Sequence, residues 1–140
     1  MRGLLHFLFP AASLLAQVYT YDDAGRLIRA VYSEGGGAGY AWDAADNLLR
    51  VDTLRVPPMP SSVGVTRLSP TSVRVSWNET AGATGYRVER RASGETAWQV
   101  VATVGGSGRS FVDETLNATR EYFYRVSALG PDGAGVASVE

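Results

Sequence analysis

Hydrophobic and polar positions alternate with a period of two through most of the chain beyond residue 60, and no stretch there has a helical period. The alternation is clearest in residues 73–77 and 122–128, where every second residue is apolar or small. Short runs of this kind recur between turn residues, and the predicted strands are 63–68, 73–78, 85–91, 98–104, 110–113, 121–129 and 135–139. Seven short strands separated by turn residues predict an all-β fold, an antiparallel sandwich.

The parity of each predicted strand indicates which side chains enter the core. The inward set comprises Val73, Val75, Trp77, Tyr86, Val88, Tyr122, Tyr124, Val126 and Ala128. Trp77 is the largest apolar residue in a strand that we expect to be central, so it is the predicted anchor of the core. Phe123 is then the one outward aromatic residue of its strand.

A short repeat precedes the predicted sandwich. Residues 19–29 align without a gap with residues 40–50, at an offset of 21 (40 − 19). The matched pairs are Tyr21 with Trp42, Asp22 with Asp43, Leu27 with Leu48, and Arg29 with Arg50. Each copy has the pattern of strand, tight turn and strand, with Gly25 at the first turn and Asp46 at the second, where a positive φ is needed. We therefore predict a pair of β-hairpins over residues 17–55, each with an aromatic face that needs a neighbour to cover it.

Residues 56–62 contain three prolines, at positions 57, 58 and 60. Proline fixes φ, removes a backbone donor and restricts the residue before it, so this segment is predicted to be a stiff, extended connector. It separates the hairpin pair from a sandwich domain at residues 63–140. We expect the hairpins either to pack on the sandwich or to be loosely ordered.

The first sixteen residues have the pattern of a secretory signal. Arg2 supplies a positive charge, residues 4–15 are almost all apolar, and small residues cluster around Ser13 and Ala16. An apolar run of about twelve residues is too short to span a bilayer core, which needs roughly twenty. We expect residues 1–16 to be a signal peptide cleaved after Ala16; cleavage near Ser13 and a buried first element are the alternatives.

The composition leaves few groups for catalysis. The chain has no cysteine and no lysine, and its single histidine, His6, lies in the predicted signal peptide. A disulfide framework, a thiolate and the commonest general base are therefore missing from the mature chain. A formal net charge of −1 favours neither nucleic acid nor an anionic membrane as a partner.

The carboxylates do not form a predicted site either. Asp113 with Glu114, and Glu89 with Glu95, could be imagined as catalytic pairs, but acidic residues at exposed strand ends are the simpler interpretation. The hairpin aspartates, Asp22 among them, lack the spacing of a calcium loop and are predicted to form turns. We predict no catalytic, cofactor-binding or metal-binding residues and no cofactor.

One strand carries a run of charges. Arg87, Glu89, Arg90 and Arg91 are predicted to point outward. A solvated sheet face is the favoured interpretation, because such charges discourage association at sheet edges. A binding face is the alternative.

Several residues of the predicted sandwich follow one another at characteristic spacings: Pro57, Pro58, Val63, Leu68, Trp77, Gly85, Tyr86, Val88, Trp98, Phe111, Asp113, Leu116 and Tyr122. With this set the segment 57–140 resembles a fibronectin type III domain, an immunoglobulin-like sandwich of seven strands. Leu116 and Tyr122 match the family's tyrosine corner, in which the phenol closes a hydrogen bond to the preceding loop. The Arg-Gly-Asp tripeptide of some members is absent, so cell attachment through it is not implied.

The repeat has a resemblance of its own. Residues 18–52 resemble two YD repeats of the Rhs and teneurin families, with Trp42 in place of a tyrosine and Asp46 in place of a glycine. Long arrays of these hairpins wind into a hollow shell around a toxic or adhesive cargo, and some are linked to carbohydrate binding. Two units cannot close a shell, so that function is not implied for this chain.

Together these features favour a secreted or cell-surface, non-enzymatic interaction or spacer module. The expected partner is an unidentified protein or polysaccharide, with no nucleic acid, no membrane span and a monomeric chain. One alternative is an accessory region of a larger secreted enzyme, such as a glycoside hydrolase. Another is the remnant of an Rhs-type toxin or adhesin shell.

Overall fold

The structure, a computed structural model, describes residues 17–138; the predicted signal peptide, residues 1–16, lies outside the described residues. Within that range every regular element is a strand. The strands are β1 (Gln17–Tyr21), β2 (Leu27–Tyr32), β3 (Gly37–Trp42), β4 (Leu48–Leu54), β5 (Gly64–Ser69), β6 (Ser72–Ser76), β7 (Gly85–Ala92), β8 (Gln99–Gly105), β9 (Ser110–Asp113), β10 (Tyr122–Gly130) and β11 (Gly133–Ala134). The predicted all-β class is confirmed.

These strands form three antiparallel sheets. The N-terminal sheet has the order β1-β2-β3-β4, and the sandwich consists of a four-stranded sheet, β11-β10-β7-β8, and a three-stranded sheet, β5-β6-β9. The sandwich therefore has the seven predicted strands, and six of them lie within about two residues of the predicted positions.

The last strand differs from its predicted position. We predicted a strand at 135–139, whereas β11 comprises Gly133–Ala134. The chain after it still follows β10, because Gly135 N donates to Ala128 O at 2.9 Å and Ser138 N donates to Val126 O at 2.9 Å. The spacing of these two bonds breaks the regular ladder, so the segment stays attached to β10 without forming a strand.

The predicted core of the sandwich is confirmed. Its buried members are Val73, Val75, Trp77, Tyr86, Val88, Tyr124, Val126 and Ala128, and Tyr122 packs against them. The rings of Trp77 and Tyr86 lie 5.3 Å apart between centroids, within the range of favourable aromatic pairs. The tyrosine corner is also present, since Asn117 N donates to Tyr122 Oη at 3.2 Å and Leu116 packs on the core.

The repeat forms two hairpins, as predicted. β1 pairs with β2, β3 pairs with β4, and β2 joins the two by pairing with β3. Gly25 has a φ of 76° and Asp46 a φ of 63°, so equivalent turns place a glycine and an aspartate in the left-handed region. Arg26 ties the turns together, because it donates to Asp22 Oδ2 at 2.8 Å and to Asp46 Oδ1 at 2.9 Å.

The proline-rich connector packs within the structure. Val56 is buried together with Val31 of β2 and Val136 of the final segment, and these three form a second hydrophobic core. Met59 packs on this core, and its N–H donates to Ser33 O at 2.7 Å. The connector thereby fastens the N-terminal sheet to the sandwich.

Polar contacts reinforce this attachment. Arg55 N donates to Asp132 Oδ2 at 2.7 Å, and its guanidinium pairs with the same oxygen at 3.2 Å. Arg29 of β2 reaches the turn before β11 and donates to the carbonyl oxygens of Asp132 and Ala134 at 3.1 and 3.4 Å. Of the two predicted alternatives, the hairpins pack on the sandwich.

Candidate functional site

A stack of arginine and aromatic side chains occupies the outer face of the β11-β10-β7-β8 sheet. The Arg125 guanidinium lies 4.4 Å from the centre of the Trp98 ring, and Arg91 lies 5.2 Å from Trp98 and 4.8 Å from Phe123. Phe123 points outward as predicted, but it is half-buried beneath Arg91. The arginines and aromatic rings of this face are therefore paired with one another by cation–π contacts.

The prediction of a fully solvated charged face is wrong at two positions. Glu89 is only 7% exposed, because it lies in the cleft between the N-terminal sheet and the sandwich. Its carboxylate pairs with Arg125 at 2.9 Å. Arg90 points inward, since it lies opposite the buried Tyr124 in the β7–β10 register. Alternation along β7 assigns Arg87, Glu89 and Arg91 to the outer face and Arg90 to the core.

Arg90 belongs to a buried polar cluster that joins the two sheets of the sandwich. Its guanidinium donates to Asp113 Oδ2 at 2.7 Å, and the Tyr124 hydroxyl donates to the same oxygen at 2.9 Å. The backbone N–H and hydroxyl of Thr115 donate to Asp113 Oδ1 at 3.0 and 2.7 Å. Asp113 is 2% exposed, so the interpretation of this residue as an exposed acid is wrong.

The electrostatics of the cluster follow from this geometry. Burial alone would raise the pKa of Asp113, but the hydrogen bonds from Thr115 and Tyr124 and the charge of Arg90 outweigh it, and the pKa is lowered. Burial, together with the neighbouring Asp113 carboxylate, raises the pKa of the Tyr124 phenol well above its usual value. The cluster thus contains an ionised carboxylate and a protonated phenol, and the hydrogen bond between them stabilises the contact of the two sheets.

The N-terminal sheet presents an aromatic face away from the sandwich. Register places Tyr19, Tyr32, Tyr40 and Val51 on this side, while Val18 and Val31 face the sandwich. Burial, followed by the proximity of Tyr40 and Tyr19, raises the pKa of Tyr32, as expected for packed phenols. We call this side, with Tyr21 and Leu49, the aromatic face.

Much of the aromatic face is open to solvent. Tyr19 is 49% exposed, Tyr21 57%, Leu49 66% and Val51 54%. The sandwich lies against the opposite side of the sheet and covers part of it, so the sandwich does not supply the neighbour that the aromatic side was predicted to need. Adjacent exposed apolar residues of this kind are typical of interaction surfaces.

The turn aspartates are used by their own backbone. Asp22 Oδ1 accepts from the N–H groups of Ala24 and Arg26 at 3.0 and 2.9 Å, and Asp43 makes the equivalent bonds. The Arg26 N–H, acting against burial, lowers the pKa of Asp22. Within residues 17–138, no group of three His, Cys, Asp or Glu side chains is placed to hold a metal ion.

Two features escaped the interpretation of the sequence. The Asp113 cluster had a signal, because Asp113 shares its parity with Phe111, and Arg90 shares its parity with Val88, so both belong on inward faces. No signal in the sequence predicted the cleft between the N-terminal sheet and the sandwich, because the cleft forms only where the connector folds the repeat back over β7 and β10.

The fold and its contacts define a class of protein. Seven antiparallel strands in two sheets, a tryptophan in the core and a tyrosine corner are the features of an immunoglobulin-like β-sandwich module. The model of the family described as "Fibronectin type III domain" matches residues 58–140, and the chain belongs to that family. The domain itself is a non-catalytic module.

Two sequence relatives are titin proteins. The "Titin homolog" of Caenorhabditis elegans is 30% identical over 118 residues, which cover 81% of this chain and 1% of the relative. "Titin" of Drosophila melanogaster is 27% identical over 108 residues, covering 74% of this chain and 1% of the relative. The chain therefore spans about 1% of the length of these relatives.

Solved structures share the fold. The chicken CNTN1 FN1-FN3 domains superpose with a TM-score of 0.56 at 23% identity, covering 74% of this chain and 40% of that one. The titin kinase with its flanking domains gives a TM-score of 0.55 at 28% identity, with coverage of 60% and 16%. None of the elements between residues 17 and 138 is a helix long and apolar enough to cross a membrane.

Proposed function

We propose that this chain is a secreted, non-enzymatic interaction module in which the aromatic face contacts a protein or a polysaccharide. The sandwich and connector would act as the rigid support that presents this face. The observation that carries the proposal is the exposure of Tyr19, Tyr21, Leu49 and Val51 on the side of the sheet that faces away from the sandwich. Tyrosine is among the residues enriched at the energetically dominant positions of protein interfaces, and two of these four residues are tyrosines.

Two further points of the proposal come from the sequence. Residues 1–16 have the charge, length and small residues of a signal peptide, which supports export to the cell surface or medium. The hairpins resemble YD repeats in their turn residues, and their aromatic positions form the open face. The alternative roles, in a larger secreted enzyme or as part of an Rhs-type shell, stay predictions.

The test compares two variants of the mature chain on a glycan array and in pull-downs. Tyr21→Ser combined with Leu49→Ser removes two of the most exposed residues of the aromatic face. Loss of about 2 kcal/mol of contact energy, a typical value for an interface anchor, weakens binding roughly 30-fold. Val100→Ser is the matched control, because Val100 is 55% exposed on β8, away from the aromatic face.

Binding that is lost in the double variant and kept in Val100→Ser supports the proposal. Binding that both variants retain contradicts it, because the contact surface would then lie elsewhere. If the wild-type chain captures neither a glycan nor a protein, the module is a passive spacer. Thermal melting of each variant shows whether the fold is intact.

A further inference from the structure

We propose that the cleft between the N-terminal sheet and the sandwich binds an oxyanion, a carboxylate, sulfate or phosphate group carried on a small organic molecule. The cleft has a volume of about 390 Å³ and is lined by Arg29 of β2, by Arg87 and Glu89 of β7, and by Arg125 of β10. Its volume falls within the range of small-molecule sites. This site lies on the side of the N-terminal sheet opposite the aromatic face, so it does not depend on the proposed function.

The charges of the cleft are unbalanced. Three arginines and one glutamate line it, and the glutamate is already paired with Arg125 at 2.9 Å. Arg29 and Arg87 are left without a carboxylate partner among the residues that line the cleft. The nearby Asp132 accepts hydrogen bonds from the backbone and guanidinium of Arg55, and its carboxylate also attracts the Arg29 guanidinium without a direct bond between them. The cleft therefore has an excess of positive charge in a partly dehydrated place, where an anion gains most.

Buried donors indicate where the anion would lie. The Nε atoms of Arg29 and Arg87 are both buried and have no hydrogen-bond partner. Arg29 uses its Nη2 on the carbonyl oxygens of Asp132 and Ala134, so its Nη1 is the terminal group left for a ligand. Within residues 17–138, the Arg87 guanidinium takes part in no ion pair and no hydrogen bond. Buried polar groups are rarely left unpaired, and Arg87 lines the cleft without a partner, so we expect its guanidinium to bind an acceptor there.

The geometry of arginine selects the class of ligand. The N–H groups of a guanidinium form a planar fork, at the Nε–Nη edge or at the two terminal Nη groups, that matches the two oxygens of a carboxylate, sulfate or phosphate. Thr20 and Ser127 also line the cleft and bring hydroxyl groups to the same region. Glu89 repels an anion from the Arg125 end, so the ligand's charge is directed to Arg29 and Arg87.

The positions of the two arginines give the bound anion a second effect. Arg29 belongs to the N-terminal sheet, and Arg87 belongs to the sandwich. An anion held by both would neutralise two cations and link the two parts of the molecule. Binding should therefore raise the melting temperature of the chain, as any ligand specific for the folded state does.

The experiment uses the chain from residue 17 onward. D-Glucuronate, inorganic sulfate and inorganic phosphate are the separate probes, and D-glucose is the neutral control. Each probe is added at about 10 mM, ten times the dissociation constant of a millimolar site, and thermal melting and the NMR signals of the arginine Nε–H groups are followed. We expect at least one anion, and not glucose, to raise the melting temperature and shift the Arg87 signal. Glucuronate alone would identify a carboxylate ligand; sulfate or phosphate would identify a dianion.

The variant Arg87→Gln is designed to separate binding from folding. It removes a guanidinium that has no partner, so we expect the ligand-free variant to melt at or above the wild-type temperature, with affinity for the anion reduced about ten-fold or more. Arg74→Gln, an exposed arginine on β6, is the matched control and should bind as the wild type does. The proposal is overturned if no anion binds, if Arg87→Gln binds normally, or if Arg74→Gln loses binding equally.

Discussion

Asp113 concentrates four hydrogen bonds on one buried carboxylate, from Arg90, Tyr124 and both donor groups of Thr115. Arg90 and Tyr124 belong to one sheet of the sandwich and Asp113 to the other, so this residue joins the two layers. A buried ion pair is costly to break from one side, because the remaining charge stays desolvated. Asp113 therefore holds the two sheets together through polar contacts, as Trp77 does through apolar packing.

The lowered pKa of Asp113 gives the protein a defined response to acid. Its folded-state pKa lies below the unfolded value of about 3.9, so its contribution to stability is present above about pH 4 and is lost as the pH falls through the folded-state pKa. In Asp113→Asn we expect the free energy of unfolding at pH 7 to fall by about 3–5 kcal/mol. The remaining stability should depend less on pH below pH 4.

Urea unfolding between pH 7 and pH 3 measures both effects. Glu114→Gln is the control, because Glu114 is the exposed neighbour of Asp113 and has no part in the cluster. This control should keep the wild-type steepness of the acid response. An Asp113→Asn variant that loses stability in acid as steeply as the wild type would contradict the role assigned to the carboxylate.

Single positions show how far the sequence predicts the structure. The core around Trp77 and the left-handed turn at Asp46 follow from parity and from conformational preference, which are local properties. The partner of Asp113 does not, since it depends on which strand lies across the sandwich. Arg90 was predicted to point outward and Asp113 to be exposed, although strict parity favours an inward position for both; the packing of the two sheets then brings them to 2.7 Å.

Among the elements, the connector departs most from its expected behaviour. Three prolines predicted a stiff spacer, and the segment is indeed without regular structure, but Val56, Pro57 and Pro60 are buried. Proline-rich segments have few backbone donors to satisfy, so they can be packed against other elements at little polar cost. Composition describes the stiffness of such a segment and gives no information on what will cover it.

Gly130, the last residue of β10, makes room for the connector. A Cβ at Gly130 would lie 2.6 Å from Pro57 Cδ and 2.9 Å from Arg55 O, closer than such contacts allow. In Gly130→Ala we expect the connector to be displaced and the N-terminal sheet to loosen. Amide hydrogen exchange should then become faster in β2 to β4, while β6 in the far sheet of the sandwich keeps its protection.

Gly105→Ala is the control for this substitution, because a Cβ at Gly105 meets no atom within 4 Å. Its exchange pattern should match that of the wild type. Unchanged exchange in the N-terminal sheet of Gly130→Ala would show that the connector tolerates the added methyl group, and that the contact with Pro57 does not hold the sheet in place.

At the scale of the whole molecule, the three sheets form three layers, with the β11-β10-β7-β8 sheet in the middle. The β5-β6-β9 sheet packs on one side of the β11-β10-β7-β8 sheet, and the N-terminal sheet covers part of the other side. The two hydrophobic cores are unequal, since the sandwich has eight buried residues in its core and the second core has three. Most of the stability therefore comes from the sandwich.

This inequality predicts different behaviour for the two parts when they are separated. A fragment of residues 56–138 should fold, because it keeps the whole sandwich core. A fragment of residues 17–55 should be unfolded, because it exposes both faces of a small sheet and loses Val56 and Val136. Circular dichroism and NMR dispersion of the two fragments measure this; a well-dispersed spectrum from residues 17–55 would contradict the prediction.

The second core also constrains the order of events during protein synthesis. Val136 is 80 residues (136 − 56) downstream of Val56, and it completes the contact with Val31. At ribosomal rates of about 5–20 residues per second, roughly 4 to 16 seconds separate the two valines. Throughout that interval the nascent hairpins lack their supporting surface, so they are synthesised before the sandwich but reach their final environment only after its last residues are made.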